Sequence, residues 1–230
     1  MAAREDVVSL FADLVSRADE DIHLPAAALA IARIPYPGLD LGFWMDEVSE
    51  LRRDAVIAVD RYQRADPLEV IIDLVFEQYG FDGDRENYYD PRNSFLNDVL
   101  ERRRGIPISL ALVFLEAARA ASIPVAGVGF PGHFLVCHLP TRRYIDVFRQ
   151  GLILDRPGFL ELLRRQGLGP EAWREEFLQP VSRSQMLARM LNNLRRHYSQ
   201  EADQGALATV TAMSHALEAA RESGAAAMVQ

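Results

Sequence analysis

His133 and Asp146 are the residues whose types and spacing best fit acid–base chemistry, an imidazole to move a proton and a carboxylate to orient it. They stand on two extended stretches, 133–138 and 143–148, on either side of Pro140-Thr141. A turn centred there makes antiparallel partners sum to 281, so Leu135 faces Asp146 and His133 lies diagonally from it on the same face. Diagonal neighbours sit roughly 7–8 Å apart at the backbone, close enough for the two side chains to share a hydrogen bond. Cys137 falls on that face too, but four residues along a strand is about 13 Å, too far for it to be the nucleophile that His133 serves. It reads as a small buried hydrophobe. The candidate hydroxyl is Ser109, in the first turn of a helix that Pro107 opens; it either bonds the backbone there or, with a base in reach, attacks. Asn93, just upstream, either stabilises an oxyanion or caps a helix.

The elements that must position these groups are mostly helical. Val7, Leu10, Phe11, Leu14 and Val15 recur at helical spacing, and a second apolar run from Leu24 to Ile34 stops at Pro35-Tyr36-Pro37-Gly38. A third helix is expected from Leu41 through Val59, and a fourth from the N-cap Asp66 and Pro67 to a stop at Gly80. The polar stretch 82–92 reads as a loop. Asn93 or Ser94 then caps a short helix from Phe95 to Arg104 that ends at Gly105, with Glu101 and the three arginines after it as a solvated helix end. The helix from Pro107 to about Ala121 has no polar face over two turns and must be buried on most sides. Three strands, 125–129, 133–138 and 143–148, follow as a meander, and after Asp155-Arg156-Pro157 the pattern is helical again, interrupted near Gln179-Pro180. The fold class is therefore α+β, with a buried helix packed on a small antiparallel sheet.

Composition narrows the function. The 230 residues are 49% hydrophobic, ample for a packed core, and 25 basic against 33 acidic residues give a net charge of −8. No lysine occurs, so every basic side chain but histidine is arginine. Such a chain is a poor partner for a phosphodiester backbone, and no run of about 18 apolar residues offers a membrane span. One cysteine excludes an intramolecular disulfide, and the N-terminus shows no apolar run with a cleavage site, so a cytoplasmic location is expected. His23, His138, His197 and His215 lack metal-ligand spacing and read as surface or cap residues. Neither metal nor cofactor is expected.

The run RRGIPISLALVFLEAARAASIPVAGVGFPGHFLVCH, followed by YIDVF, resembles the bacterial transglutaminase-like family of SirB-type regulators of sirC expression, whose members carry tetratricopeptide-like helices at the C-terminus. LPAAALAIARIPYPGLD, LVFEQYGFDGDRENYYDPRNSFL and MLARMLNNLRRHY are similar to the same family's helical segments. The resemblance implies a papain-like Cys-His-Asp arrangement, with the cysteine opening the buried helix and His and Asp on the neighbouring strands. His133 and Asp146 match the last two. Setting GIPISLA against G-x-C-x-x-x-A, with Gly105 and Ala111 in register, puts Pro107 at the cysteine position. Ser109 lies two positions later, rotated by about 200° around the helix.

Three regions follow: a helical layer over 1–90, a transglutaminase-like core over 91–180 and a C-terminal helical hairpin over 181–230. The hairpin is about as long as one tetratricopeptide unit and must cover its apolar side on the core or on a second copy, which makes a homodimer an expectation. Two functions from different classes emerge. One is a non-catalytic module that binds a protein or peptide in the cleft, in a regulatory role that the resemblance implies. The other is a hydrolase or acyl transferase with Ser109 as nucleophile, His133 as base and Asp146 as orienter.

Overall fold

The structure, a computed structural model, describes residues 2–227, with side chains over 5–223. Helices α1 (Ala2–Val15), α2 (Leu24–Ala32), α3 (Leu41–Arg61) and α4 (Pro67–Ile72) open the chain. Their starts are chemically marked: His23, Asp40 and Asp66 each accept a backbone N–H from the first turn of the helix they precede. A π-helical turn, Asp73–Gln78, prolongs α4, and the chain breaks off where Gly80 takes a left-handed φ of +71°.

Two parallel strands, β1 (Asp82–Gly83) and β2 (Arg104–Gly105), bracket α5 (Leu96–Arg102). This corrects the expected loop and the expected stop at Gly105. Arg103 ends α5 in the left-handed region at φ 56°, because Arg104 and Gly105 are extended to pair with β1. Neither Asn93 nor Ser94 caps α5; Phe95 holds that position without a side-chain bond. Nor are the arginines simply a solvated end, although Arg104 is exposed. Arg102 bonds Asn93 and Asp84, Arg103 lies over the rings of Tyr79 and Phe81, and Arg104 donates to the Gly80 carbonyl.

Helix α6 (Pro107–Ala120) is the centre of the molecule, with every residue from Pro107 to Ala118 buried, as its unbroken apolar run requires. It packs on α3 and on the four-stranded antiparallel sheet β3 (Val125–Val128), β4 (Leu135–His138), β5 (Arg143–Asp146) and β6 (Leu152–Leu154), which runs in chain order. The register of β4 on β5 pairs Val136 with Ile145 and Cys137 with Tyr144, the expected sum. Strand β6 is absent from the sequence reading. Its signal was the Gln150-Gly151 pair, both with positive φ, ahead of Leu152-Ile153-Leu154.

The sheet divides the core by side-chain alternation. Val136, Ile145 and Val147 join one large apolar cluster with α1 to α6 and the C-terminal helices α8 (Arg183–Gln200) and α9 (Gln204–Ala227). Leu135, Cys137 and Tyr144 face a smaller cluster completed by Phe159, Leu162 and Leu163 of α7 (Arg156–Arg165). The helical hairpin of α8 and α9 packs along α1 and α2, so its apolar side is covered within the chain.

Candidate active-site cleft

Phe130 to His133 form a tight turn in which His133 N–H donates to the Phe130 carbonyl at 3.0 Å, Pro131 sits second and Gly132 third with φ +64°. That is the chemistry of a type II turn. A side chain at position 132 would also run into Gln166. Arg189 of α8 fastens the turn from outside, its Nη2 donating to the carbonyls of Phe130 (2.9 Å) and His133 (2.6 Å) while its guanidinium lies over Phe134. Burial pushes the Arg189 pKa below its ordinary value. His133 therefore sits in the turn before β4 rather than on the strand itself.

From that turn the His133 Nε2 reaches Asp146 Oδ1 at 2.8 Å. Asp146 closes β5 with its side chain fully buried, and the same oxygen accepts Phe148 N–H at 3.1 Å. Its other oxygen lies 3.5 Å from Arg149 Nε and accepts no hydrogen bond. Arg149 supplies the positive charge that a buried carboxylate requires. The Phe148 ring stands edge-on to His133 at 6.1 Å, contacts Tyr88 and Arg85, and occupies the space over Gly83 that a side chain there would need. Tyr89, 87% exposed, packs edge-on to Tyr88. Burial raises the Tyr88 pKa, so its hydroxyl stays neutral. The ring beside His133 is thus Phe148, and Tyr88 of the 82–92 stretch packs on the dyad only through it.

Ser109 is placed differently. Only 1% exposed, its Oγ donates to the Asn93 carbonyl at 2.6 Å and accepts Ile106 N–H at 3.1 Å, and Gly105 leaves room for it. No hydrogen bond joins Ser109 to His133. Asn93, fully buried, donates from Nδ2 to the Asn87 carbonyl and accepts from Arg102 at Oδ1, which ties the 82–92 stretch to α5. Pro107 is the buried first residue of α6. Cys137 lies in the smaller cluster, and burial pushes its thiol pKa up. Among the described residues no three His, Cys, Asp or Glu side chains gather as a metal site, and no helix is long and apolar enough to cross a membrane. Sequence reasoning assigned no role to Arg149, Arg189, Tyr88 or Phe148, although Tyr88, Arg189 and Phe148 all stand in the segments that carry the resemblance and only Arg149 lies outside them.

A buried helix capped by proline, a meander beside it and a His-Asp pair at the meander's mouth agree with a match to the transglutaminase-like superfamily over residues 44–192. The chain belongs to the transglutaminase-like superfamily. A UPF0162 protein of Xylella fastidiosa strain Temecula1 is 38% identical over 205 residues, 84% of this chain and 71% of that protein. A UPF0162 protein of Pseudomonas aeruginosa is 34% identical over 183 residues, 79% of this chain and 67% of its own length. Human F-box only protein 21 shares 39% identity over 77 residues, 33% of this chain and 12% of that protein. No solved structure matches. The resemblance puts the superfamily's His and Asp at His133 and Asp146, which are hydrogen-bonded here, and its cysteine at Pro107.

Proposed function

We propose that this protein is a non-catalytic transglutaminase-like module that binds a protein or peptide segment in the cleft beside His133, in the manner of a SirB-type regulator. The observation that carries the reading is the commitment of Ser109: a buried hydroxyl whose proton is held by backbone carbonyls, with no base bonded to it, is not activated as a nucleophile. Proline opens the helix where the superfamily resemblance puts a cysteine. What remains around the dyad is suited to holding a chain: exposed Tyr88 and Tyr89, the Phe148 ring, and Arg85 over that ring at 5.7 Å. The test is selection of a random peptide library on the full chain, followed by binding of the enriched peptides to Tyr89→Ala. Enrichment that weakens in this variant is expected. No enrichment, or binding indifferent to Tyr89, defeats the proposal.

The intact His133–Asp146 bond at 2.8 Å favours one competing reading, a hydrolase or acyl transferase using Ser109. It demands that Ser109 abandon the Asn93 carbonyl. Activated-ester turnover that disappears in both Ser109→Ala and His133→Ala, with folding intact, would establish that reading and displace the first.

A further inference from the structure

At the other end of α6 a cleft of about 290 Å³ opens between α2, α3, α6 and α8, and its chemistry owes nothing to the dyad. Its walls bring together Arg52, Arg119 and Arg183 from three separate helices, with His23 and a single carboxylate, Glu116. Glu116 is spoken for: Arg52 donates to its Oε2 from Nε at 2.9 Å and again from Nη2. Arg183 donates Nη1 to the Ile22 carbonyl at 2.7 Å, which fixes its direction but leaves its charge unanswered. Arg119 makes no side-chain hydrogen bond or ion pair among the described residues, although burial, and then Arg183, push its pKa below the ordinary value. Asp19, the next carboxylate along, is turned onto the backbone N–H groups of Arg183 and Ser184.

A cation at a helix C-terminus has an ordinary explanation, since it answers the helix dipole. That dipole is equivalent to about half a charge, and Glu116 brings one more, against three guanidinium groups. Roughly one and a half positive charges remain in a confined space on a chain whose net charge is −8. The start of α2, with His23 as its N-cap, opens onto the same cleft and adds to the positive potential.

We propose that this cleft binds a phosphate dianion, free or carried on a small molecule. A phosphate monoester at neutral pH bears about −1.5 to −2, which matches the residual charge, whereas a single carboxylate leaves part of it standing. Guanidinium forks approaching from different sides suit a tetrahedral oxyanion. The volume lies at the small end of ligand pockets, roughly 300–1,000 Å³, which fits a small molecule rather than a chain segment. Pro107 and Arg119 are about 18 Å apart along the helix at roughly 1.5 Å per residue, so this site stands or falls apart from the peptide reading.

The experiment is calorimetric titration of the full chain with inorganic phosphate, glycerol phosphate and succinate at constant ionic strength, repeated with Arg119→Gln. Saturable one-site binding of at least one phosphate probe is expected, the tighter of the two identifying the source. Arg119→Gln, which breaks no bond within the protein, is expected to weaken it by about tenfold, the loss of one charge-assisted hydrogen bond. In nuclear magnetic resonance, bound phosphate is expected to raise the His23 titration midpoint by offsetting Arg52 and Arg183. No saturation by roughly 10 mM of either phosphate probe, equal affinity in Arg119→Gln, or tighter binding of succinate would overturn the proposal.

Discussion

The two ends of α6 treat polarity in opposite ways. At the first, beside Pro107, the Ser109 hydroxyl and both ends of the Asn93 amide have partners inside the protein, and the fully buried Asp146 carboxylate is shared by His133, the Phe148 N–H and Arg149. What faces outward there is aromatic. At the second end, beside Arg119, guanidinium groups outnumber the carboxylate that answers them, and one has no protein partner among the described residues. A surface whose charges are paired within the protein recognises ligands by shape and aromatic contact; one with unspent charge recognises them by charge. The difference is the ground for proposing a chain segment at the first end and a small anion at the second.

The comparison breaks most readily at Asp146. Asp146→Ala strands His133 and the Arg149 guanidinium in a buried setting, and a loss of about 3–5 kcal/mol is expected in urea unfolding. A loss below about 1 kcal/mol would mean that water already reaches the pair. Ser109→Ala should cost about 2 kcal/mol, because the Asn93 carbonyl loses its closest donor while staying buried. A neutral Ser109→Ala would show the hydroxyl to be free of the structural duty argued for it.

The smallest effect belongs to the basic end and to pH. Desolvation and then Arg52 hold the folded-state His23 pKa below its ordinary value of 6.5. Above that value both folded and unfolded states are neutral at this position and it contributes no pH dependence. As pH falls through 6.5 the unfolded chain takes up a proton that the folded protein resists, so stability falls until the folded pKa is passed. His23→Asn keeps an N-cap acceptor for Ala26 N–H and removes the titration, so its melting temperature should decline less than that of the parent between pH 7 and pH 5. Parallel declines would assign the acid sensitivity to other groups.

How much of this was legible in the sequence follows the same division. The first end could be read because its signals are local: Pro107 at a helix start, Pro131-Gly132 in a turn, and a hairpin whose length fixed the pairing of Val136 with Ile145 and brought His133 to Asp146. The errors there were competitions that local rules do not see. Asn93 has the type of an N-cap, but Asn87 and Arg102 claim its side chain, and Gly105 has the type of a helix stop, but pairing with Gly83 makes it a strand residue. The second end could not be read at all. Arg52, Arg119 and Arg183 carry no distinguishing signal within their own helices, and only the packing of α3, α6 and α8 brings them to one cleft. His23 was expected to be a cap and is one, yet its cap position also puts it in that wall.

Asn93 has a further effect on motion. The backbone bonds that seat its loop on α6 join groups far apart in sequence: Asp84 N–H to the Gly105 carbonyl, Ile106 N–H and the Ser109 hydroxyl to the Asn93 carbonyl. None of these can open by local fraying, since each is anchored on both sides by the others. The amide protons of Asp84 and Ile106 are therefore expected to exchange together, as one cooperative unit through which the segment carrying Tyr88 and Tyr89 loosens from the central helix.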